Sequence, residues 1–367
     1  MLNSLVIKNF RCLEDFEVSK LGRVNLIVGK NNSGKSSVLE ALRIYAGSAN
    51  INLLKEIAES HDEQFPLAES NEINPNVIFP YKDLFSGRQP SENGVVKITI
   101  GESIGNKNIL TISRVFIVQE HSKTGEQKAF YEDTFDKEKF NLVCQNLFVD
   151  GERIVYLLTT TRYYPLNTVY IPHSFIPTQF ISIDELAKEW DKIVYTEHEK
   201  IVSDALKIVL PSYEHLVFVE NENANTKTTI KRIPKVKLSD QPRPIPLKSL
   251  GDGMLRVLQL AIKLVSAQGG FLLIDEFENG LHYSIQEKIW DLLFEMAEKL
   301  DIQVFATTHS WDCIESFAKV ANDKTDIEGV LFRMGKSARK SNQGQIIATV
   351  FDKERLYNLT QADVEVR

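Results

Sequence analysis

The stretch that decides the fold is Gly29-Lys30-Asn31-Asn32-Ser33-Gly34-Lys35-Ser36, with Ser37 directly after it. It fits the pattern G-x-x-x-x-G-K-[ST] at every fixed position. Residues 24–28 before it form a short apolar run, and residues 36–45 carry apolar side chains at helical spacing. A glycine-rich turn between a buried strand and a helix lets backbone N–H groups surround phosphate oxygens, and the helix N-terminus adds positive charge. The sequence therefore predicts a phosphate-binding loop, in preference to a purely structural turn.

Each residue of this loop then has an expected role. Residues 29–37 are predicted to bind a nucleotide through its phosphates. Lys35 is expected to contact the outer phosphates and to contribute to catalysis, and the Ser36 hydroxyl is expected to be a Mg²⁺ ligand.

A second motif places two acids at the end of an apolar run, in Phe271-Leu272-Leu273-Ile274-Asp275-Glu276. A buried strand that ends in carboxylates brings them beside the phosphate loop of a parallel sheet. Asp275 would hold Mg²⁺, mostly through water, and Glu276 would polarise the attacking water. An exposed strand end is the alternative, and the neighbouring phosphate loop favours the functional interpretation.

His309 follows another apolar run, residues 304–307, and is expected to contact the γ-phosphate as a catalytic residue. A lone histidine at a strand end is otherwise a satisfied structural residue. The strand–helix alternation of residues 246–333 predicts an α/β fold with a parallel sheet and helices on its faces.

The middle of the chain differs in pattern from both ends. Residues 94–181 are rich in β-branched and aromatic side chains, which predicts an antiparallel sheet, and residues 184–210 have helical spacing. The predicted domains are a nucleotide-binding core of residues 1–45 and 245–367, a β-rich lobe with a loop insert at 46–181, and a helical insert with a basic hairpin at 182–244.

Composition excludes several classes of protein. The 367 residues are 43% hydrophobic and 25% charged, so the chain is neither disordered nor fibrous. The net charge of −7 argues against a protein that coats nucleic acid through bulk charge. Three distant cysteines suit a reducing compartment. With no signal peptide pattern and no membrane-length apolar run, we expect a cytoplasmic protein without a membrane partner.

Three segments together resemble a known group of proteins. These are Leu5-Val6-Ile7-Lys8-Asn9-Phe10-Arg11, Asp275-Glu276-Phe277-Glu278-Asn279-Gly280-Leu281-His282 and Thr307-Thr308-His309-Ser310. With the phosphate loop, they resemble ABC-type P-loop ATPase heads of the clan that contains RecF, the structural-maintenance-of-chromosomes (SMC) heads and the overcoming-lysogenization-defect (OLD) family. The resemblance covers about residues 1–45 and 245–320. It implies a mixed sheet flanked by helices, and hydrolysis of ATP with Mg²⁺.

In that clan two heads sandwich ATP between the phosphate loop of one and a signature loop of the other. The resemblance therefore implies a homodimer, with Ser249, Gly251, Asp252 and Gly253 acting across it on the partner's nucleotide. Aligning Gly253 with the family's glycine puts Gly251 where a serine usually stands. A plain helix cap is the alternative interpretation of this segment.

The resemblance also implies a magnesium-sensing glutamine, for which Gln179 is the better candidate and Gln119 the weaker. Arg11 either lies by the adenine or is an ordinary exposed arginine. The basic stretch at residues 227–248 either contacts DNA or guards an edge strand with lysines.

Two functions remain open from the sequence. The leading hypothesis is an ATPase that closes a dimer on ATP and drives a partner effector or a DNA transaction, including defence against phage or plasmids. The alternative is a nucleotide-gated binding or scaffold module with little turnover. Full-length OLD proteins add a TOPRIM nuclease domain, and the residues after His309 lack a D-x-D cluster. We therefore expect the chain not to be a nuclease by itself, and a nuclease-like effector to be a separate protein.

Overall fold

A computed structural model describes residues 1–63, 82–88, 97–103, 108–120, 129–132, 140–149, 170–221, 232–351, 355–356 and 358. The strands are β1 (Leu5–Phe10), β2 (Leu13–Val18), β3 (Val24–Gly29), β4 (Lys97–Gly101), β5 (Ile109–Glu120), β6 (Ala129–Glu132), β7 (Phe140–Val149), β8 (His173–Ile176), β9 (Tyr213–Glu220), β10 (Arg232–Leu238), β11 (Ile245–Pro246), β12 (Phe271–Ile274), β13 (Gln303–Thr308), β14 (Gly329–Lys336) and β15 (Ile346–Phe351). The helices are α1 (Lys35–Ala46), α2 (Ile51–Glu59), α3 (Ile183–Ile193), α4 (Glu199–Val209), α5 (Asp252–Ser266), α6 (Tyr283–Lys299) and α7 (Trp311–Asp323).

The centre of the fold is a six-stranded sheet in the order β15-β14-β3-β13-β12-β8. All neighbouring pairs are parallel except β14 with β15. Its strands are short apolar runs because both faces are covered, as in β12, where every residue is buried. Leu272 and Ile274 pack in a core shared with α3 to α7, while Phe271 and Leu273 pack in a core shared with α1 and α2. The α/β fold with a mixed sheet and flanking helices is thereby confirmed.

A second, antiparallel sheet has the order β2-β1-β4-β5-β6, with β7 also paired to β5. Its first two strands come from the predicted core segment 1–45, whereas β8, from the predicted β-rich lobe, pairs in parallel with β12 in the central sheet. The sheets therefore do not follow the predicted domain boundaries. The physical reason is that a local apolar pattern predicts a strand but carries no information about its distant pairing partner.

The region predicted as a helical insert contains two helices, α3 and α4, and a small antiparallel sheet in the order β11-β10-β9. Trp190 of α3 and Leu206 of α4 are buried in the same core as Leu258 of α5, so this region packs directly on the central fold. Lys227 and Lys231 of the basic stretch lie outside the described residues. No helix in the described part of the chain is both long and apolar enough to cross a membrane.

The parallel strands determine where the site lies. Strands β3, β12, β13 and β8 run in the same direction, so the segments that follow them leave the sheet at one edge. These segments contain the phosphate loop, the two acids, His309, and the turn with Thr178 and Gln179.

Candidate active site

The phosphate loop joins β3 to α1 and turns sharply at Gly34. This residue has a φ of 90°, a left-handed conformation that favours glycine, and a Cβ added to it would lie 2.9 Å from Cys12 Sγ. Lys35 Nζ donates hydrogen bonds to the carbonyl oxygens of Gly29 (2.9 Å) and Lys30 (3.2 Å). Burial lowers the pKa of Lys35, and the nearby carboxylates oppose this shift. The backbone of the loop thus holds the amine in place.

The loop also contains a buried polar atom that fits a phosphate ligand. Ser33 is 8% exposed, and its Oγ has no hydrogen-bond partner among the described residues. Buried hydroxyl groups are rarely left unsatisfied. A phosphate oxygen in the loop would supply the missing partner.

Asp275 is the carboxylate that faces the phosphate loop. Its Oδ1 and Oδ2 lie 3.4 and 3.3 Å from Ser36 Oγ. Thr307 Oγ1 donates to Oδ1 at 2.7 Å, and Thr178 Oγ1 donates to Oδ2 at 3.2 Å. A hydroxyl and a carboxylate are the hard oxygen ligands that Mg²⁺ prefers, so these residues fit the predicted metal.

Glu276 has an unusual backbone conformation, with a φ of 49°. Its N–H donates to Thr307 Oγ1 at 2.8 Å, which helps to hold the strained turn. Its side chain is 39% exposed, and Oε1 lies 3.9 Å from Nε2 of His309. Strained residues persist where surrounding contacts fix them, and they cluster at functional sites. The carboxylate is therefore fixed at its base and accessible to water at its tip.

Glu278 holds the turn that carries His309. Its Oε1 accepts a hydrogen bond from the His309 N–H, and its Oε2 accepts one from Thr308 Oγ1, both at 2.8 Å. The segment after β12 is thereby fastened to the segment after β13. This arrangement places the histidine ring opposite Glu276.

Arg256 of α5 lies beneath the acids and is only 1% exposed. Its guanidinium donates to the carbonyl oxygens of Pro177 (2.8 Å), Asp275 (2.9 Å) and Glu276 (2.9 Å). Burial lowers the pKa of Arg256 to about 10, although nearby carboxylates oppose the shift. One buried side chain thus joins α5 to the turns after β8 and β12.

Gln179 is exposed and follows β8. With Ser36, Thr178 and Asp275, it lines a cavity of about 1020 Å³. The better glutamine candidate thus directly follows Thr178, whose hydroxyl donates to Asp275. Gln119, the weaker candidate, lies on β5 in the antiparallel sheet.

The predicted signature segment forms the start of α5. Ser249 lies in a short 3₁₀ turn, Gly251 precedes the helix, and Asp252 and Gly253 are its first residues. A Cβ on Gly253 would lie 2.8 Å from the Gly280 carbonyl oxygen, so this glycine has a packing role within the chain. Ser249, Gly251 and Asp252 are exposed and accessible to a partner.

Arg11 is neither an exposed arginine nor unpaired. Its Nε lies 2.8 Å from Glu40 of α1, and its Nη1 lies 2.7 Å from Glu63. His61 Nε2 contacts Glu40 Oε1, and this bond raises the pKa of His61. The alternative of an ordinary surface residue is therefore wrong, because two carboxylates hold the guanidinium against α1.

Sequence reasoning missed three side chains that hold the acids, namely Thr178, Thr307 and Arg256. The hydroxyl groups gave no signal because threonine is common at strand ends. An arginine within the apolar pattern of α5 was a usable signal, since charged residues are rarely fully buried without partners.

Fold and site together define a P-loop nucleotide-binding head. A family model described as an AAA ATPase domain matches residues 1–150. A second model, whose description names an AAA domain, an AbiEii toxin and a type IV TA system, matches residues 216–312.

Three curated relatives agree with this class. An ATP/GTP phosphatase of Helicobacter pylori is 25% identical over 349 residues, which cover 88% of this chain and 89% of the relative. RecF of Clostridium perfringens is 25% identical over 224 residues, covering 55% and 58%. The OLD nuclease of Thermus scotoductus is 47% identical over 47 residues, covering 13% and 9%.

Two solved SMC heads, each bound to a ScpA domain, share the fold with TM-scores of 0.52 and 0.51. The first is 13% identical to this chain, and the match covers 96% of this chain and 98% of that head. The second, from a complex derived from Pyrococcus furiosus, is 12% identical, and the match covers 99% of each chain. The chain is therefore similar to P-loop ATPases of the OLD and RecF type, and it shares its fold with SMC heads.

Proposed function

We propose that this protein binds ATP at residues 29–37 and hydrolyses it to ADP and phosphate. The observation that carries the proposal is the convergence of four side chains at one sheet edge. Ser36 Oγ lies 3.3 Å from Asp275, and Glu276 lies 3.9 Å from His309. This is the constellation that hydrolysis of a bound nucleotide needs: a phosphate cradle, hard oxygen ligands and a base.

Each residue has a chemical role in this proposal. Lys35 would exchange its carbonyl partners for the outer phosphates of ATP. Glu276 would orient the attacking water and accept its proton, and His309 would contact the γ-phosphate. Ser36 and Asp275 would hold Mg²⁺, with Gln179 near them. The ion, when bound, supplies positive charge that offsets the charge developing on the phosphoryl oxygens.

We also propose that two copies close on ATP, with Ser249, Gly251, Asp252 and Gly253 of one copy acting on the nucleotide of the other. Two features support this arrangement. The turn before α5 is exposed, and the N–H groups at the N-terminus of a helix attract an anion. A low-turnover, nucleotide-gated scaffold is the second candidate. It is favoured by Gly251, which offers no hydroxyl where the family usually has one.

A phosphate-release assay separates these two functions. Wild-type protein with Mg-ATP should release phosphate at a steady rate, and Glu276→Gln should be slower by orders of magnitude because an amide cannot accept the proton. Glu298→Gln, an exposed change on α6, is the matched control and should keep the wild-type rate. Equal, slow release by wild type and Glu276→Gln would end the enzyme proposal and leave the scaffold.

The effector chemistry, in this proposal, belongs to another polypeptide, including a nuclease-like partner in defence against phage or plasmids. This rests on the resemblance to OLD proteins, whose nuclease centre needs an additional acidic metal site. The purified chain with Mg²⁺ or Mn²⁺ and ATP should leave plasmid, linear and single-stranded DNA uncut. DNA cutting that disappears when an acid outside the ATP site is changed would overturn it.

A further inference from the structure

The turn after β12 carries a third carboxylate, Glu278, two residues beyond Glu276. Its side chain is partly buried and reaches the segment after β13. There its Oε1 accepts a hydrogen bond from the His309 N–H and its Oε2 accepts one from Thr308 Oγ1, both at 2.8 Å. The proposed hydrolysis uses Asp275, Glu276 and His309 directly, and it leaves Glu278 without a chemical role of its own.

Other residues hold this turn without the help of Glu278. The neighbouring Phe277 is fully buried (0% exposed), and its ring stacks on Trp290 with the ring centroids 3.9 Å apart. On the other side of Glu278, Asn279 Nδ2 donates to the Thr178 carbonyl oxygen at 2.6 Å. The turn is thus anchored on both sides of the carboxylate, so the loss of the carboxylate should leave the turn and the fold in place.

The position of His309, in contrast, depends on Glu278. His309 stands between Thr308, which ends β13, and Ser310, which is the N-cap of α7. Its N–H therefore belongs to neither the strand nor the helix, and the Glu278 carboxylate accepts it. Hydrogen bonds to a charged acceptor are stronger than those between neutral groups. Because His309 Nε2 lies 3.9 Å from Glu276 Oε1, a shift of the His309 backbone would change that contact.

We infer that Glu278 is a positioning residue, which fixes the backbone of His309 and affects turnover only through this histidine. The inference rests on the proposed hydrolysis and adds a residue that neither the nucleotide nor the attacking water needs to touch. A displacement of about 1 Å at a reacting group costs on the order of 100-fold in rate. A carboxylate that sets the place of a catalytic side chain therefore controls turnover without taking part in the chemistry.

The first test compares Glu278→Ala with Glu278→Gln. Both variants remove the same negative charge, which opposes the lowering of the Lys35 pKa by burial, so any change in KM for ATP that this charge causes should be shared. The glutamine can still accept from the His309 N–H and can donate to Thr308 Oγ1, whereas alanine can do neither. We expect kcat for phosphate release to fall about 10- to 100-fold in the alanine variant. The glutamine variant should keep a kcat near that of wild type.

The second test is a double-mutant cycle with His309→Ala. Residues that act as one unit are not additive, so Glu278→Ala should cause no further loss of kcat when His309 is already alanine. Asn279→Ala is the matched control, because it loosens the same turn on the side of Thr178. Any loss that it causes should be the same with and without His309. The inference is overturned if Glu278→Ala multiplies the loss of His309→Ala, or if the glutamine variant is as slow as the alanine variant.

A third measurement does not depend on turnover. The ring ¹H–¹³C resonance of His309, identified by its loss in His309→Ala, should move in Glu278→Ala and stay near its wild-type position in Glu278→Gln. An unmoved resonance in the alanine variant, or normal turnover by that variant, would overturn the inference and leave the proposed hydrolysis intact. The absence of phosphate release by wild type would overturn the proposed hydrolysis itself, whatever the resonance does.

Discussion

Replacing Thr307 by valine tests whether one buried hydroxyl holds both acids. Thr307 is fully buried (0% exposed), and its Oγ1 donates to Asp275 at 2.7 Å and accepts from the Glu276 N–H at 2.8 Å. Valine has nearly the same shape and removes both bonds. A hydrogen bond to a charged group contributes about 1.5–3 kcal/mol, and a buried donor left unpaired costs about 1–3 kcal/mol. Because Asp275 is partly exposed and keeps Thr178 as a donor, we expect the unfolding free energy to fall by about 2–4 kcal/mol.

The same change should reduce turnover. Without the bond from its N–H, the Glu276 turn with its φ of 49° loses a contact that fixes it. A displacement of about 1 Å costs on the order of 100-fold in rate, so we expect kcat for ATP to fall about 10- to 100-fold. The measurements are urea unfolding and steady-state phosphate release.

Thr307→Ser is the matched control, because it keeps the hydroxyl and loses one methyl group, at about 1 kcal/mol. Its turnover should stay near that of wild type. If the valine variant matches the serine variant in both unfolding free energy and kcat, the hydroxyl does not hold the acids.

Three further predictions concern the loop, the dimer and the ion-pair network. Lys35→Ala should lower phosphate release by orders of magnitude while circular dichroism shows an intact fold, and wild-type turnover would mean that the loop is not the active site. Glu276→Gln with Mg-ATP should sediment as a dimer more than wild type does, and an unchanged mass would contradict the two-head arrangement. His61 has a raised pKa because of Glu40, so its stabilising contribution is present below its ordinary pKa and is lost as pH rises through the raised value. His61→Ala should therefore lower the urea midpoint more at pH 6 than at pH 9, and equal losses would show that the charge of His61 is not involved.

Much of the central fold could be predicted because its signals are local. The phosphate loop, the apolar run before the acids and the run before His309 each lie within about ten consecutive residues. Their apolar character reflects strands buried on both faces, and the predicted runs correspond to β3, β12 and β13. Parallel pairing then brings the three strand ends to one edge, which is why predicted site residues from distant segments meet.

Sheet membership could not be predicted in the same way. The chain between β2 and β3 is short, yet these strands lie in different sheets, while β8 pairs with β12 across almost a hundred residues of sequence. The burial pattern of β1 or β8 fits either sheet. Only the pairing partners distinguish the alternatives, and those depend on how the helices cover each face.

Single residues at the acids show the same contrast between local sequence signals and contacts from distant segments. The identity of Asp275 and Glu276 is a local signal, but their orientation depends on groups from three other segments. Thr307 comes from β13, Thr178 from the turn after β8, and Arg256 from α5. The Arg256 guanidinium donates to the carbonyl oxygens of both acids and of Pro177. This buried cation of α5 therefore contacts both the backbone at the acids and the turn that carries Gln179. A buried charge is retained only where its partners compensate its desolvation, and here they are carbonyl oxygens that any sequence would supply. The cation is visible in the sequence and its partners are not, so only the folded chain connects α5 with the sheet edge that carries the acids.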